Sequence, residues 1–378
     1  MRVAIFAESS LPYLSGVTIS TDTLVRGLAA AGHDVLLVAP RPAGALPAES
    51  EVAWLASYQL PRIVPPGYRM PWPLPSGALR VAERFRPEVV HAQSPFVAGV
   101  MARRLARRVG APLVFTHHTR FADYGHYLGP FARPGMAMTD AYLRRWWAGC
   151  AAIIAPSAQL AAEIEQRLDP MRHRPLVRVV PTGIDVAAIR ALPRVDARRL
   201  AGWPDDALVV ASLGRLAAEK SVVELVGAFE RAAVRQPRLR LLLIGGGPAE
   251  ERLRRRAANG STMHLTGALA RHDALSLLRG ADLFAFASRT ETQGLVLAEA
   301  LACGLPVVAV DGPAVAESVR DGVDGLIVAS AHDLADALVD LAASDERRGQ
   351  LASAAAAAAD RFDVARRIAE VVSVYREA

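Results

Sequence analysis

Short runs of aliphatic and β-branched residues alternate along the chain with longer stretches whose apolar residues return every three to four positions. In the first half, Val3–Ala7, Val35–Ala39, Val89–Ala92, Leu113–Thr116, Ala152–Ala155 and Val177–Val180 have the length and make-up of buried strands, and Thr18–Ala31 has helical spacing. In the second half, Leu208–Leu213, Leu241–Ile244, His264–Leu265, Leu283–Ala287 and Pro306–Val310 are strand-like. Val222–Val234, Ala249–Ala258, Arg271–Arg279 and Leu295–Cys303 are the helices between them. Strand–helix alternation of this kind predicts an α/β fold with doubly wound parallel sheets, here twice over. The division is expected within Ile184–Ala201, which has little apolar periodicity and contains Pro193. The predicted domains are 1–186 and 187–360. Residues 361–378 carry a last helix over Val364–Tyr375, which no strand follows and which is expected to pack back on the first domain.

A chain of 378 residues, 52% of them hydrophobic, can bury a core in each half. The first apolar run ends at Glu8, too early for a signal peptide. No window offers the ~18 uncharged apolar residues of a spanning helix. The greasiest stretch, Leu295–Val310, is broken by Glu299, Gly304 and Pro306. A cytoplasmic protein is therefore expected, with Cys150 and Cys303 as buried thiols. The net charge of +6 and pI of about 9.8 raise nucleic acid as a partner. The arginines are dispersed among helices with no recognition module, which argues against it. Among 44 basic residues only Lys220 is a lysine. A chain that uses arginine wherever either cation serves marks its one lysine as a place where a compact point charge is needed.

Open α/β sheets bind ligands beyond the carboxyl ends of their strands. Arg215 and Lys220 follow the strand Leu208–Leu213 and can converge on a pyrophosphate, a planar fork beside a point charge. After Leu283–Ala287 comes Thr290-Glu-Thr-Gln-Gly-Leu-Val-Leu-Ala-Glu299. There Gly294 and Leu295 open a helix whose free N–H groups attract phosphate. Glu291, in the loop, can accept from sugar hydroxyls. Glu299, set among apolar residues, needs donors such as ribose hydroxyls, or the backbone or an arginine in the plainer alternative. Gly246, in the Gly245–Pro248 turn, permits close approach to a nucleotide, and Gly16, after the first strand, does the same for a phosphate or acceptor. Thr116–Tyr127 places three histidines, hydroxyls and the aromatics Tyr124 and Tyr127 at a strand end. Their spacing matches no common metal motif, so no metal is expected. Pro65–Pro75, with Tyr68 and Trp72 at its tips, reads as a loop with no regular element. Arg144 and Arg145 precede Trp146 and Trp147, and all of these have the look of membrane-interface chemistry, with the buried face of a helix as the equal alternative for one of the two tryptophans.

In order, Ser15-Gly-Val, Thr116–Tyr127, Pro181-Thr-Gly-Ile-Asp185, Gly214–Lys220 and Thr290–Ala300 resemble the retaining glycosyltransferases of family 4 over nearly the whole chain. With His91–Phe96 they are similar to the bacterial 1,2-diacylglycerol 3-glucosyltransferases. The resemblance implies the GT-B architecture, two facing Rossmann-like domains. It implies transfer of a hexose, with UDP-glucose favoured, to a lipid such as diacylglycerol. Retention, no cofactor and a peripheral place on an anionic inner membrane face go with it. Arg215 and Lys220 would bind the diphosphate, Glu299 the ribose, Glu291 the donor sugar, and His118 would sit beside the reacting sugar. His117 departs from the pattern, since an aromatic is common there in the family. A GDP-mannose-dependent mannosyltransferase is the nearest alternative, and a nucleotide-sugar epimerase is the alternative of another class.

Overall fold

The computed structural model describes residues 1–13, 15–42, 51–59, 67–72, 77–120, 132–168, 174–258, 260 and 262–378. It divides into two units, Met1–Gly183 with Val364–Ala378, and Ile184–Asp363.

The first unit is built on seven parallel strands. In chain order they are β1 (Arg2–Phe6), β2 (Asp34–Pro40), β3 (Glu51–Leu55), then, after a two-stranded pair β4 (Ser57–Tyr58) and β5 (Met70–Pro71), β6 (Val89–Ala92), β7 (Leu113–Thr116), β8 (Ala152–Ala155) and β9 (Leu176–Val179). The sheet order is β3-β2-β1-β6-β7-β8-β9. The helices are α1 (Gly16–Ala30), α2 (Gly77–Phe85), α3 (Val97–Val109), α4 (Ala132–Trp147) and α5 (Ala158–Leu168). Strand residues are apolar on both faces because helices cover both. Ala4 and Phe6 pack with α2, α3 and α4, while Val3 and Ile5 pack with α1 and the chain's last helix, Val364–Glu377. That last helix crosses α1 where Gly27 leaves room. A Cβ on Gly27 would lie 2.5 Å from Ile368 Cγ1.

The second unit opens with α6 (Val186–Ala191) and α7 (Ala197–Ala201). Its sheet contains β10 (Leu208–Leu213), β11 (Leu239–Ile244), β12 (Met263–Leu265), β13 (Leu283–Phe286), β14 (Val307–Val310) and β15 (Gly325–Val328), in the order β12-β11-β10-β13-β14-β15, all parallel. Its helices continue as α8 (Val222–Arg235), α9 (Glu250–Ala257), α10 (Arg271–Leu278), α11 (Leu295–Ala302), α12 (Pro313–Ser318), α13 (Ala331–Ala343) and α14 (Asp345–Ala358), and the last helix is α15. Val209 and Ala211 face one core, Leu208 and Val210 the other. Both units are therefore doubly wound, as the alternation predicts.

The division falls earlier than predicted. Ile184 and Val186 are buried with Leu242 and Phe284, and the Ile184 amide bonds the Phe362 carbonyl at 2.9 Å, so 184–186 and 361–363 belong to the second unit. The stretch Ile184–Ala201 also holds two short helices, each started by an aspartate: Asp185 accepts from the Ala188 amide and Asp196 from the Arg198 amide. Trp146 and Trp147 are 2% and 0% exposed. They do not reach a membrane surface, because α4 turns both indoles onto Phe115 and His117. The described part of Pro65–Pro75 contains one regular element, β5, held by the Trp72 amide on the Ala56 carbonyl at 2.7 Å. Pro65, Pro66, Pro73 and Pro75 lie outside the described residues.

Candidate active site

In each sheet the winding direction reverses once, between β1 and β6 in the first and between β10 and β13 in the second. Neighbouring connections leave in opposite directions there, which opens a crevice at the strands' carboxyl ends. The chain's candidate chemistry collects at these two points.

In the second unit Gly214 and Arg215 follow β10, and Ser288–Glu291 follow β13. A 3-10 turn, Ala218–Lys220, brings Lys220 onto Glu291, and the ammonium and carboxylate form a close ion pair. Arg215 pairs with Glu219 at 3.3 Å. The two loops are tied together by the Glu219 carbonyl, which accepts from Ser288 Oγ at 3.2 Å and Thr290 Oγ1 at 2.9 Å. Gly246, after β11, accepts the Leu216 amide at 3.0 Å and so braces the same segment. Gly294 stands at φ +68° at the start of α11, a conformation that side chains strain, and a Cβ there would meet Leu297 Cδ1 at 3.0 Å. Leu295 follows as the first residue of α11. One turn on, Glu299 is 3% exposed. Arg271 of α10 answers its charge, Nη1 lying 2.5 Å from Oε1. Burial pushes the carboxyl above its usual range against the pull of Arg271. Arg271 is a partner that sequence reasoning missed, since nothing local couples residues 28 apart.

In the first unit His117 and His118 follow β7. The His117 amide continues the ladder onto the Ile154 carbonyl at 2.9 Å, so its ring faces the core, 5.5 Å from Phe115 and 5.5 Å from Trp147. His118 takes the other face, half-buried, with Nε2 2.8 Å from Gln93 Oε1. Burial lowers both rings, His117 to about 3 and His118 to about 4, so both are neutral imidazoles at physiological pH. Glu8, which the sequence offers as the first charge after β1, caps α3: Oε2 accepts from Ser94 Oγ at 3.0 Å and the Ala98 amide at 2.9 Å. Burial raises its pKa. Gly16 begins α1 behind the Ser15 cap, with no atom within 4 Å of where a Cβ would stand.

Of the predicted acceptor and membrane residues, Tyr68 is half-buried against Tyr13, and Trp72 is 47% exposed beside Tyr58. Arg144 is paired with Asp140 at 2.8 Å, and Arg145 is exposed. Tyr124 and Tyr127 lie outside the described residues. Among the described residues no group of His, Cys, Asp and Glu could hold a metal ion, and no helix is long and apolar enough to cross a membrane.

Residues 14–188 match the profile of Glycosyltransferase Family 4, and residues 194–358 that of Glycosyl transferases group 1. The chain is 28% identical to the alpha-monoglucosyldiacylglycerol synthase of Streptococcus pneumoniae, over 90% of this chain and 78% of that one. It is 30% identical to a GDP-mannose-dependent alpha-mannosyltransferase of Mycobacterium tuberculosis, over 92% and 89%. In fold it resembles the Anabaena protein HepE in complex with UDP and glucose, with a TM-score of 0.74 at 18% identity over all of both chains. Sucrose-phosphate synthase from Thermosynechococcus elongatus gives 0.75 at 19%, over 100% and 98%. Two doubly wound units with polar groups at each reversal point, matched along their length by these profiles and relatives, make this chain a glycosyltransferase of family 4.

Proposed function

We propose that the protein transfers glucose from UDP-glucose to a membrane lipid such as diacylglycerol, with retention and without a metal ion. The observation that carries this reading is the cluster Arg215, Lys220 and Glu291 at the second unit's reversal point. Exposed ion pairs such as Arg215–Glu219 contribute only ~0–1 kcal/mol, so a diphosphate can take both cations from their carboxylates. Glu291, released from Lys220, is then free to accept from the hexose. The ribose hydroxyls go to Glu299, one turn into α11. In transfer, the acceptor oxygen forms its bond to the anomeric carbon on the face from which the diphosphate departs. The acceptor's proton passes to a leaving diphosphate oxygen, and Arg215 and Lys220 stabilise the charge that develops there. The alpha descriptor in the relatives' names fits retention from an α-linked donor.

Two cations aimed at the leaving group do the work a divalent ion does elsewhere. Turnover is therefore expected to survive saturating EDTA, and its loss on chelation with recovery in magnesium or manganese would overturn the metal-free mechanism. The base is tested by thermal shift with UDP, GDP and ADP, since a ligand of the folded state raises the melting temperature. UDP should stabilise most. GDP in its place would favour the mannosyltransferase reading, which the 30%-identical relative supports.

The lipid reading draws on a surface of the first unit other than the tryptophans. Phe96 and Val100 of the α3 stretch, and Met138 and Tyr142 of α4, are exposed at four-residue spacing, and the Tyr142 hydroxyl bonds the Pro95 carbonyl to join the two rows. Exposed Arg104, Arg107, Arg108 and Arg145 continue them. An apolar stripe edged by arginines suits an anionic bilayer at the cytoplasmic face. The protein should sediment with anionic but not neutral vesicles, less so as salt rises. Equal recovery in both supernatants would point to a soluble acceptor.

A further inference from the structure

His91 and Gln93 lie two residues apart at the end of β6 and so share a face, and Thr116 and His118 stand in the same relation at the end of the adjacent β7. The two faces are laced together. His91 Nε2 is 2.7 Å from Thr116 Oγ1, and Gln93 Oε1 is 2.8 Å from His118 Nε2. From α15, the Tyr375 hydroxyl reaches His91 Nδ1 at 2.7 Å. His91, Gln93, Thr116 and Tyr375 are all buried. Gln93 also lines a cavity of about 40 Å³ with Ser20 and Thr182. Among the described residues its amide nitrogen has no hydrogen-bond partner. A water needs roughly 10–15 Å³ and two or more polar neighbours, so the cavity can hold one that takes this donor.

We infer that Gln93 is a positioning residue, whose side-chain carbonyl holds His118 in the tautomer protonated on Nε2 and so leaves Nδ1 as a fixed hydrogen-bond acceptor for the substrate. An amide oxygen can only accept, so the ring nitrogen facing it must carry the proton, and the other nitrogen then offers a lone pair. Among the described residues nothing bonds Nδ1. His118 on this account accepts a hydrogen bond from a substrate hydroxyl and neither gains nor loses a proton. The neighbouring rings, His91 on β6 and His117 just after β7, are held neutral by burial, each at about 3. Arg367 of α15, which lines the same cavity, is paired with Glu370. The inference rests on the reading that His118 serves transfer.

Long-range ¹⁵N–¹H correlation of the histidine-labelled full-length protein gives the tautomer directly, with His118→Ala for assignment. The Nε2–H form of His118 is expected, unchanged from pH 6 to 8. The Nδ1–H form would overturn the inference without any variant having to fold. Gln93→Ala should lower kcat about tenfold with the donor KM within twofold. Gln93→Glu puts a carboxylate beside Nε2–H and raises the ring's pKa. Its kcat should therefore fall on the acid side of neutrality, where the wild type is flat, because the imidazolium has no lone pair on Nδ1. Wild-type turnover in Gln93→Ala, or an unchanged pH profile in Gln93→Glu, would also overturn it. An active His118→Ala beside a wild type in the Nε2–H form would instead remove the role of His118 while leaving the hold by Gln93.

Discussion

His118→Ala is expected to lose ~10²-fold or more in turnover, the scale of a positioned polar group in a transition state, with nucleotide affinity little changed. The two histidines share a strand end but not a face. His117 is stacked into the core on Phe115 and Trp147, and His118 is turned toward Gln93. His117→Ala should therefore act through packing, lowering the melting temperature and costing far less in kcat. The pair of variants shares backbone and charge change, so their difference reads the face directly. A dead His117→Ala beside an active His118→Ala would put the register one residue off, and the acceptor-side assignments would fall with it.

Lys220 carries the second large effect. Lys220→Ala should cost ~10²-fold, comparable to removing one donor to a developing oxyanion. Lys220→Arg should still cost at least tenfold, about 1.4 kcal/mol of transition-state stabilisation. Arginine keeps the charge, yet the ammonium sits at the end of a one-turn 3-10 segment against Glu291, and a planar fork cannot fill that place without moving the loop. Both variants should fold, since Lys220 is partly exposed and contributes to no core. Wild-type kinetics in Lys220→Arg would mean that the chain's single lysine is an accident of composition.

The central strands were legible because each is an apolar run covered on both faces, a pattern that composition alone carries. β3 and β15 were not. Glu51–Leu55 begins with a charge, and Gly325–Val328 is four residues opening on a glycine. Within Ile184–Ala201 the helices are too short for periodicity, although their aspartate caps were in plain view. At the site, the residues that follow strands could be found by position. Their partners could not: Arg271 for Glu299, Gln93 for His118 and Tyr375 for His91 are joined only by the fold, the last across 284 residues. For Trp146 and Trp147 the sequence leaves a surface role and a buried helix face both open, and the structure buries both. Their arginine neighbours suggest a surface, and only the packing of α4 on Phe115 decides that the indoles go inward.

Hexose transfer to lipid with retention can be read from its product. The most direct measurement incubates the protein with UDP-[¹⁴C]glucose and dioleoylglycerol in anionic vesicles, then reads the anomeric proton coupling of the extracted product. A labelled glycolipid with the small coupling of an α-glucoside is expected. A β-linked product, or label released only as free sugar while the lipid stays unmodified, would contradict it.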